Sequence, residues 1–235
     1  MVKSELIKRS PLRIFEKSIH GGLGKGHIGV LASKRGVGKT ACLVHIATDQ
    51  LLQDKHVIHV SFAARVDHII NWYEDIFKEI AKKRDLEQAV DVHDEIIKNR
   101  VIMNFNQEDV ETEQIIRSLT AMIQDGHFAA DSIIFDGYDV SKARLEDLEQ
   151  IRGYAEEQGL EVWFSVSLKE AEPDVDEKGI PRILSDYLQT IDVVIVLDFF
   201  GDHVRFKALK DHDTYEPHDM HLMLDPKSLL IAEEK

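Results

Sequence analysis

The chain has 235 residues, 43% of them hydrophobic and 31% charged, with a formal net charge of −14. That length and mixture suit a single α/β domain over residues 1–235 with a substantial core, and no apolar run approaches the length needed to cross a bilayer. So large a negative charge repels phosphodiester backbones, and the basic stretches Lys82-Lys83-Arg84 and Lys207 with Lys210 lie among acids, which argues against a general nucleic-acid binder while leaving a local site open; the lack of a long apolar run leaves no membrane partner expected.

The segment Met1-Val2-Lys3-Ser4-Glu5 opens on polar residues without the apolar core of a signal peptide, so a cytoplasmic location is expected. Residues 28–32 form a short apolar run that predicts a buried strand, and residues 39–53 predict a helix. The lone Cys42 falls on the first turn of that helix. It cannot form an internal disulfide, which agrees with a reducing compartment, and it is expected to be a small buried packing residue. Residues 57–62 predict the next strand. Asp67 then offers an N-cap to an amphipathic helix carrying Ile69, Ile70, Tyr73, Ile76, Phe77 and Ile80.

A second helical piece over 86–98 leads to a strand over 100–105, a helix over 110–125 and a strand over 132–136. Ser141 is expected to begin a helix with Leu145, Leu148, Ile151 and Tyr154 on one face, ending before Gly159; a strand over 161–167 follows. Strands that are apolar throughout, alternating with helices, predict a parallel sheet covered on both faces. Three later strands, over 193–197, 203–209 and 221–224, are joined by short polar turns and predict an antiparallel extension on the sheet's edge.

Between the first strand and the first long helix stands Ser33-Lys34-Arg35-Gly36-Val37-Gly38-Lys39-Thr40-Ala41. A triphosphate needs glycines that let backbone N–H groups surround its oxygens, and a helix N-terminus whose dipole faces the anion. Lys39 supplies a point charge to the outer phosphates and the Thr40 hydroxyl a ligand to Mg²⁺. The usual pattern begins with Gly, where this chain has Ser33. The second half of such a site is a carboxylate closing a buried strand, and Ile133-Ile134-Phe135-Asp136 fits it. The expected cofactors are therefore ATP and Mg²⁺, with Lys39 and Asp136 as the catalytic candidates and Thr40 with Asp136 on the metal.

Ile19-His20-Gly21-Gly22-Leu23-Gly24-Lys25-Gly26, with the strand at 28–33 and Gly36-Val37-Gly38-Lys39-Thr40-Ala41, resembles the opening of RecA-superfamily P-loop ATPases, above all the KaiC and RadA branch with its Gly-Gly-Leu entry. The loop is also similar to that of DnaB-type helicases. The resemblance covers nearly the whole chain, with its specific part N-terminal. It implies a RecA-like core, ATP bound at a subunit interface, and assembly of identical subunits into rings or filaments.

Three departures limit what carries over. The family places a catalytic Glu just past the second strand, where this chain has Ser61-Phe62-Ala63-Ala64-Arg65, and Gly137 rather than a Glu follows Asp136. Without a placed base the attacking water loses its positioning, unless Asp67, Asp139 or a partner substitutes. Relatives carry Lys-x-Arg after the penultimate strand to reach a neighbour's γ-phosphate; Lys210 matches, and His212 stands in the Arg position. The loop that contacts DNA in recombinases here holds Glu170, Glu172, Asp174, Asp176 and Glu177 against Lys178 and Arg182.

Two functions of different class remain open: a slow or regulatory ATPase acting in an oligomer, and a non-hydrolysing nucleotide-binding module or scaffold. The cluster Asp211, His212, Asp213, His218, Asp219 and His221 matches no zinc spacing and is expected to be a solvated turn. Trp72 and Tyr73 are expected to pack rather than to stack on bases. The protein client is not legible at this level.

Overall fold

The computed structural model describes residues 1–63, 65, 67–106, 110–168 and 174–234. Six strands run parallel: β1 (Ile28–Lys34), β2 (Val57–Ser61), β3 (Arg100–Asn104), β4 (Ser132–Asp136), β5 (Glu161–Leu168) and β6 (Val193–Phe200). Three more, β7 (His203–Asp211), β8 (His218–Leu224) and β9 (Ile231–Glu233), continue the sheet antiparallel. The nine strands lie side by side in the order β3-β2-β4-β5-β1-β6-β7-β8-β9.

Parallel neighbours need crossover connections, and helices supply them. The helices are α1 (Lys3–Lys8), α2 (Leu12–Ser18), α3 (Lys39–Leu52), α4 (Asp67–Arg84), α5 (Ala89–Ile96), α6 (Thr112–Thr120) and α7 (Leu145–Gln158). The first five pack with Leu31, Ile134 and Trp163 on one face of the sheet. Helices α6 and α7 pack with Ile28, Val30, Phe135 and Phe164 on the other. Side chains alternate between faces along a strand, so a strand covered on both sides is apolar on successive residues, as β1 is over residues 28–32 and β4 over residues 133–135. A β-carbon on Gly29 would lie 2.5 Å from the Trp163 ring, so only glycine lets the indole lie over β1.

Most elements fall where the periodicity places them, and the exceptions have local causes. Helix α4 buries Ile69, Tyr73, Ile76, Phe77 and Ile80, whereas Ile70 is 40% exposed, one helical step off the stripe. Ser141 does not begin α7. It sits in a 3₁₀ turn (Val140–Lys142), where the Asp139 carboxylate accepts from its N–H at 3.2 Å and its hydroxyl at 2.6 Å. The helix starts at Leu145 instead, with the Arg144 N–H bound to Asp147 at 2.8 Å. The helix expected over 110–125 begins at Thr112 and widens at its end, as α6 followed by a π turn over Ala121–Asp125.

Helices α1 and α2 and strand β9 have no counterpart in the sequence reading. Strand β9 is anchored from outside the sheet: its Ile231 N–H donates to Nδ1 of the buried His45 on α3 at 2.9 Å. Among the described residues no helix is long and apolar enough to cross a membrane.

Candidate phosphate-binding site

Strand β1 delivers the chain into the loop at the end of the sheet where the parallel strands finish. Gly36 and Gly38 both take positive φ, +79° and +113°. Gly38 is the cap of α3, its carbonyl accepting from the Cys42 N–H at 3.0 Å. A β-carbon there would collide with Leu224 of β8, so the antiparallel extension backs directly onto the loop. The left-handed backbone demands glycine here, and the Leu224 methyl fills the space a β-carbon would take.

Within the loop Ser33, Val37, Lys39 and Ala41 are buried, Gly38 and Thr40 half-buried, and Lys34, Arg35 and Gly36 exposed. The Lys39 ammonium, only 8% exposed as a residue, donates to Ser33 O at 3.1 Å, Ser33 Oγ at 3.2 Å and Lys34 O at 3.0 Å. Burial lowers its pKa, with the Asp136 charge acting in the opposite sense. Ser33, the departure from the usual glycine, thus contributes two of the three acceptors that hold the lysine.

Asp136 closes β4 and is 7% exposed. Its Oδ2 accepts from the Thr40 hydroxyl at 2.9 Å and its Oδ1 from the Ser165 hydroxyl at 2.7 Å. Ser165 belongs to β5, which the sheet order inserts between β1 and β4, and its oxygen also accepts from the Gly137 N–H at 2.8 Å. The nominated pair, Thr40 and Asp136, is therefore in contact across 96 residues of sequence. The site offers a hydroxyl and a carboxylate side by side, the hard oxygen donors Mg²⁺ takes alongside water and phosphate oxygens. That donor set fits the ion.

Two contributors escaped the sequence reading. Ser165 is one, a hydroxyl in an otherwise apolar strand. His59 on β2 is the other: fully buried, Nδ1 3.1 Å from the Tyr73 hydroxyl, and Nε2 3.9 Å from Asp136 Oδ2 with no hydrogen-bond partner among the described residues. Burial lowers its pKa to about 4 despite the nearby carboxylate, so the ring is neutral at pH 7. A polar residue in a strand with both faces covered was the available signal for each.

The carboxylates considered as substitutes for the missing base are engaged locally. Asp67 pairs with Arg65 at 2.5 Å, and Asp139 caps the 3₁₀ turn. Ser61 Oγ accepts from the Ala63 N–H at 3.1 Å. Ala64, Glu170 and Glu172 lie outside the described residues. In the acidic loop Asp174 pairs with Arg182 and Asp176 accepts from the Lys178 and Ile180 N–H groups.

Lys210 points inward. It is 6% exposed and donates to Ile191 O at 2.5 Å and Asp192 O at 3.4 Å, and the antiparallel register sets it opposite Val194. Val194 in turn pairs with Val30, near the start of β1. These bonds fasten β7 to the turn before β6. His212 is also held within the chain, to Asp211 at 2.6 Å and to Leu23 O at 3.1 Å.

The turn expected to be solvated is partly interior as well: Asp211 is 4% exposed and clamped between His20 and His212. No group of three or more His, Cys, Asp or Glu that could hold a metal occurs among the described residues. Cys42 is a buried packing residue whose thiol pKa is pushed up by burial. Set against family models and against curated proteins, the sequence matches none.

Proposed function

We propose that the chain binds Mg²⁺ and ATP at the loop of residues 33–41 in a RecA-like core, and that it acts as a slow or regulatory ATPase within an oligomer of identical subunits. The single observation behind this is the state of Lys39. Among the described residues, this buried ammonium is satisfied by a hydroxyl and two carbonyls of its own loop and carries charge without a counter-ion at bonding distance. Phosphate oxygens at the start of α3 would provide one.

In that complex the Gly36–Gly38 backbone and Lys39 bind and orient the triphosphate. Thr40 and Asp136 hold the metal, which supplies charge neutralisation on the phosphates when bound. Ser165 fixes the carboxylate, and the buried aromatic stack of Phe135 on Phe164, 4.7 Å between centroids, keeps water from the strand behind it. Equilibrium titration with a fluorescent ATP analogue in the presence of Mg²⁺ tests the binding. Saturable binding that Lys39→Ala weakens at least about ten-fold is expected, and equal affinity in that variant would overturn the proposal.

The non-hydrolysing module or scaffold is favoured by a separate observation: Asp67 and Asp139, the candidate water-positioning groups, are each committed to local partners. Phosphate release measured beside the titration separates the two. Release that Asp136→Asn removes marks an ATPase; tight binding with release at the uncatalysed rate marks the module. Self-association is tested by sedimentation with and without nucleotide, where monomers under both conditions would exclude the oligomer.

A further inference from the structure

On the same helix as Lys39, but along its second half, His45, Asp49 and Leu52 form one wall of a cavity of about 290 Å³. The other walls are α1 and α2 with the turn between them, the end of α4, and β9. At 1.5 Å per residue His45 is roughly 9 Å and Asp49 roughly 15 Å along the axis from Lys39, so the cavity is separate from the phosphate loop.

Its charge is opposite to that of the molecule. Lys8, Arg9, Arg13, Lys83 and Arg84 line it against Asp49 and Glu233, in a chain of net charge −14. Two of the cations are matched: Arg13 pairs with Glu16 and Asp49, and Lys83 with Asp225 at 3.2 Å. The others are not. Arg84 donates to the Arg9 carbonyl at 3.2 Å, and no ion pair holds Lys8, Arg9 or Arg84 among the described residues.

Two polar side chains of the lining, one on α3 and one on α2, also carry a nitrogen without a hydrogen-bond partner among the described residues. His45 is 3% exposed; its Nδ1 accepts from the Ile231 N–H, which puts the ring proton on Nε2, and that nitrogen has no hydrogen-bond partner among the described residues. Arg13 Nε is buried and likewise unpartnered. Between these groups the lining is apolar, with Leu52, Ile80 and Leu230. Convergent donors around an apolar floor are the composition of a small-molecule site.

We propose that this cavity is a second binding site, selective for a small organophosphate. Its apolar body lies against Leu52, Ile80 and Leu230, and its phosphate is held by the guanidinium groups of Arg9 and Arg84, whose planar forks match phosphate geometry. The volume is at the lower limit of ligand pockets, so the body is a single ring or short chain and not a nucleoside triphosphate. The site stands independently of what the phosphate loop binds.

The test titrates the full chain with phenyl phosphate, with inorganic phosphate and phenol in parallel, reading calorimetry and backbone amide shifts. Saturable shifts at Arg84, Ile231 and Ala232 are expected, with affinity at least about ten-fold above that of either fragment. Arg9→Glu combined with Arg84→Glu should weaken phenyl phosphate at least about ten-fold without lowering the melting temperature. If that pair does not fold, Arg9→Gln with Arg84→Gln should produce a smaller loss in the same direction. Lys39→Ala should leave these shifts intact even where nucleotide binding is weakened. Shifts confined to residues 36–40, or affinity unaltered by removal of the two guanidinium charges, would overturn the proposal.

Discussion

Two buried aspartates in this chain close strands and are each held by two side chains, yet they are built for different work. Asp136 is held by the hydroxyls of Thr40 and Ser165, and Asp211 by the imidazoles of His20 and His212. A hydroxyl can turn its oxygen lone pairs to an ion while the carboxylate binds the same ion, so the first arrangement can open to a ligand. The second is reinforced by the tie of His212 to Leu23 O and so fastens the Gly-rich entry segment to the end of β7. Burial of a carboxylate says little about function until the chemistry of its partners is known.

The largest expected effect that separates the two is on nucleotide affinity. Lys39→Ala should weaken Mg·ATP binding by about 10- to 150-fold, equivalent to the roughly 1.5–3 kcal/mol of a hydrogen bond to a charged group. Asp211→Asn should leave that affinity unchanged in the same titration. Stability should respond in the reverse order. Asp211→Ala strips both imidazoles of their partner and should cost about 1–3 kcal/mol in urea unfolding. Asp136→Asn, which keeps an acceptor for one hydroxyl and offers the other an N–H to accept, should cost less than Asp211→Ala.

Acid should act on two buried histidines. His45 and His59 have pKa values lowered by burial to about 3 and about 4 from an ordinary 6.5. The unfolded chain therefore binds protons that the folded chain refuses, and stability is full above pH 6.5 and falls as pH drops toward 4. Each histidine contributes a slope of at most about 1.4 kcal/mol per pH unit. His45→Asn, whose amide oxygen still accepts from Ile231, should give a flatter urea-midpoint profile between pH 6.5 and 4; an unaltered slope would remove His45 from this account.

The smallest effects concern single buried bonds. Tyr73→Phe removes the partner of His59 Nδ1 and should cost about 0.5–1.5 kcal/mol. Lys210→Ala removes the donor to Ile191 and Asp192 and should likewise lower the melting temperature. Because that ammonium is turned inward, sedimentation of Lys210→Ala should match that of the parent chain.

Sequence alone determined what depends on neighbours along the chain. The Ser33–Ala41 loop, its glycines and the helix behind it are local, because strand, turn and helix cap are short-range preferences, and the parallel strands announce themselves by apolar runs. Asp136 was legible too, since a strand closing on Asp is read in five residues. Only the tertiary structure decided which groups meet. It set Thr40 against Asp136, placed Ser165 and His59 behind that carboxylate, and turned Lys210 inward. It also docked α1, α2 and β9 around α3, elements too short for periodicity to register. The reason is physical: propensity and pattern act over a few residues, whereas contacts between distant segments follow from strand order and register, which the packing of the whole sheet sets.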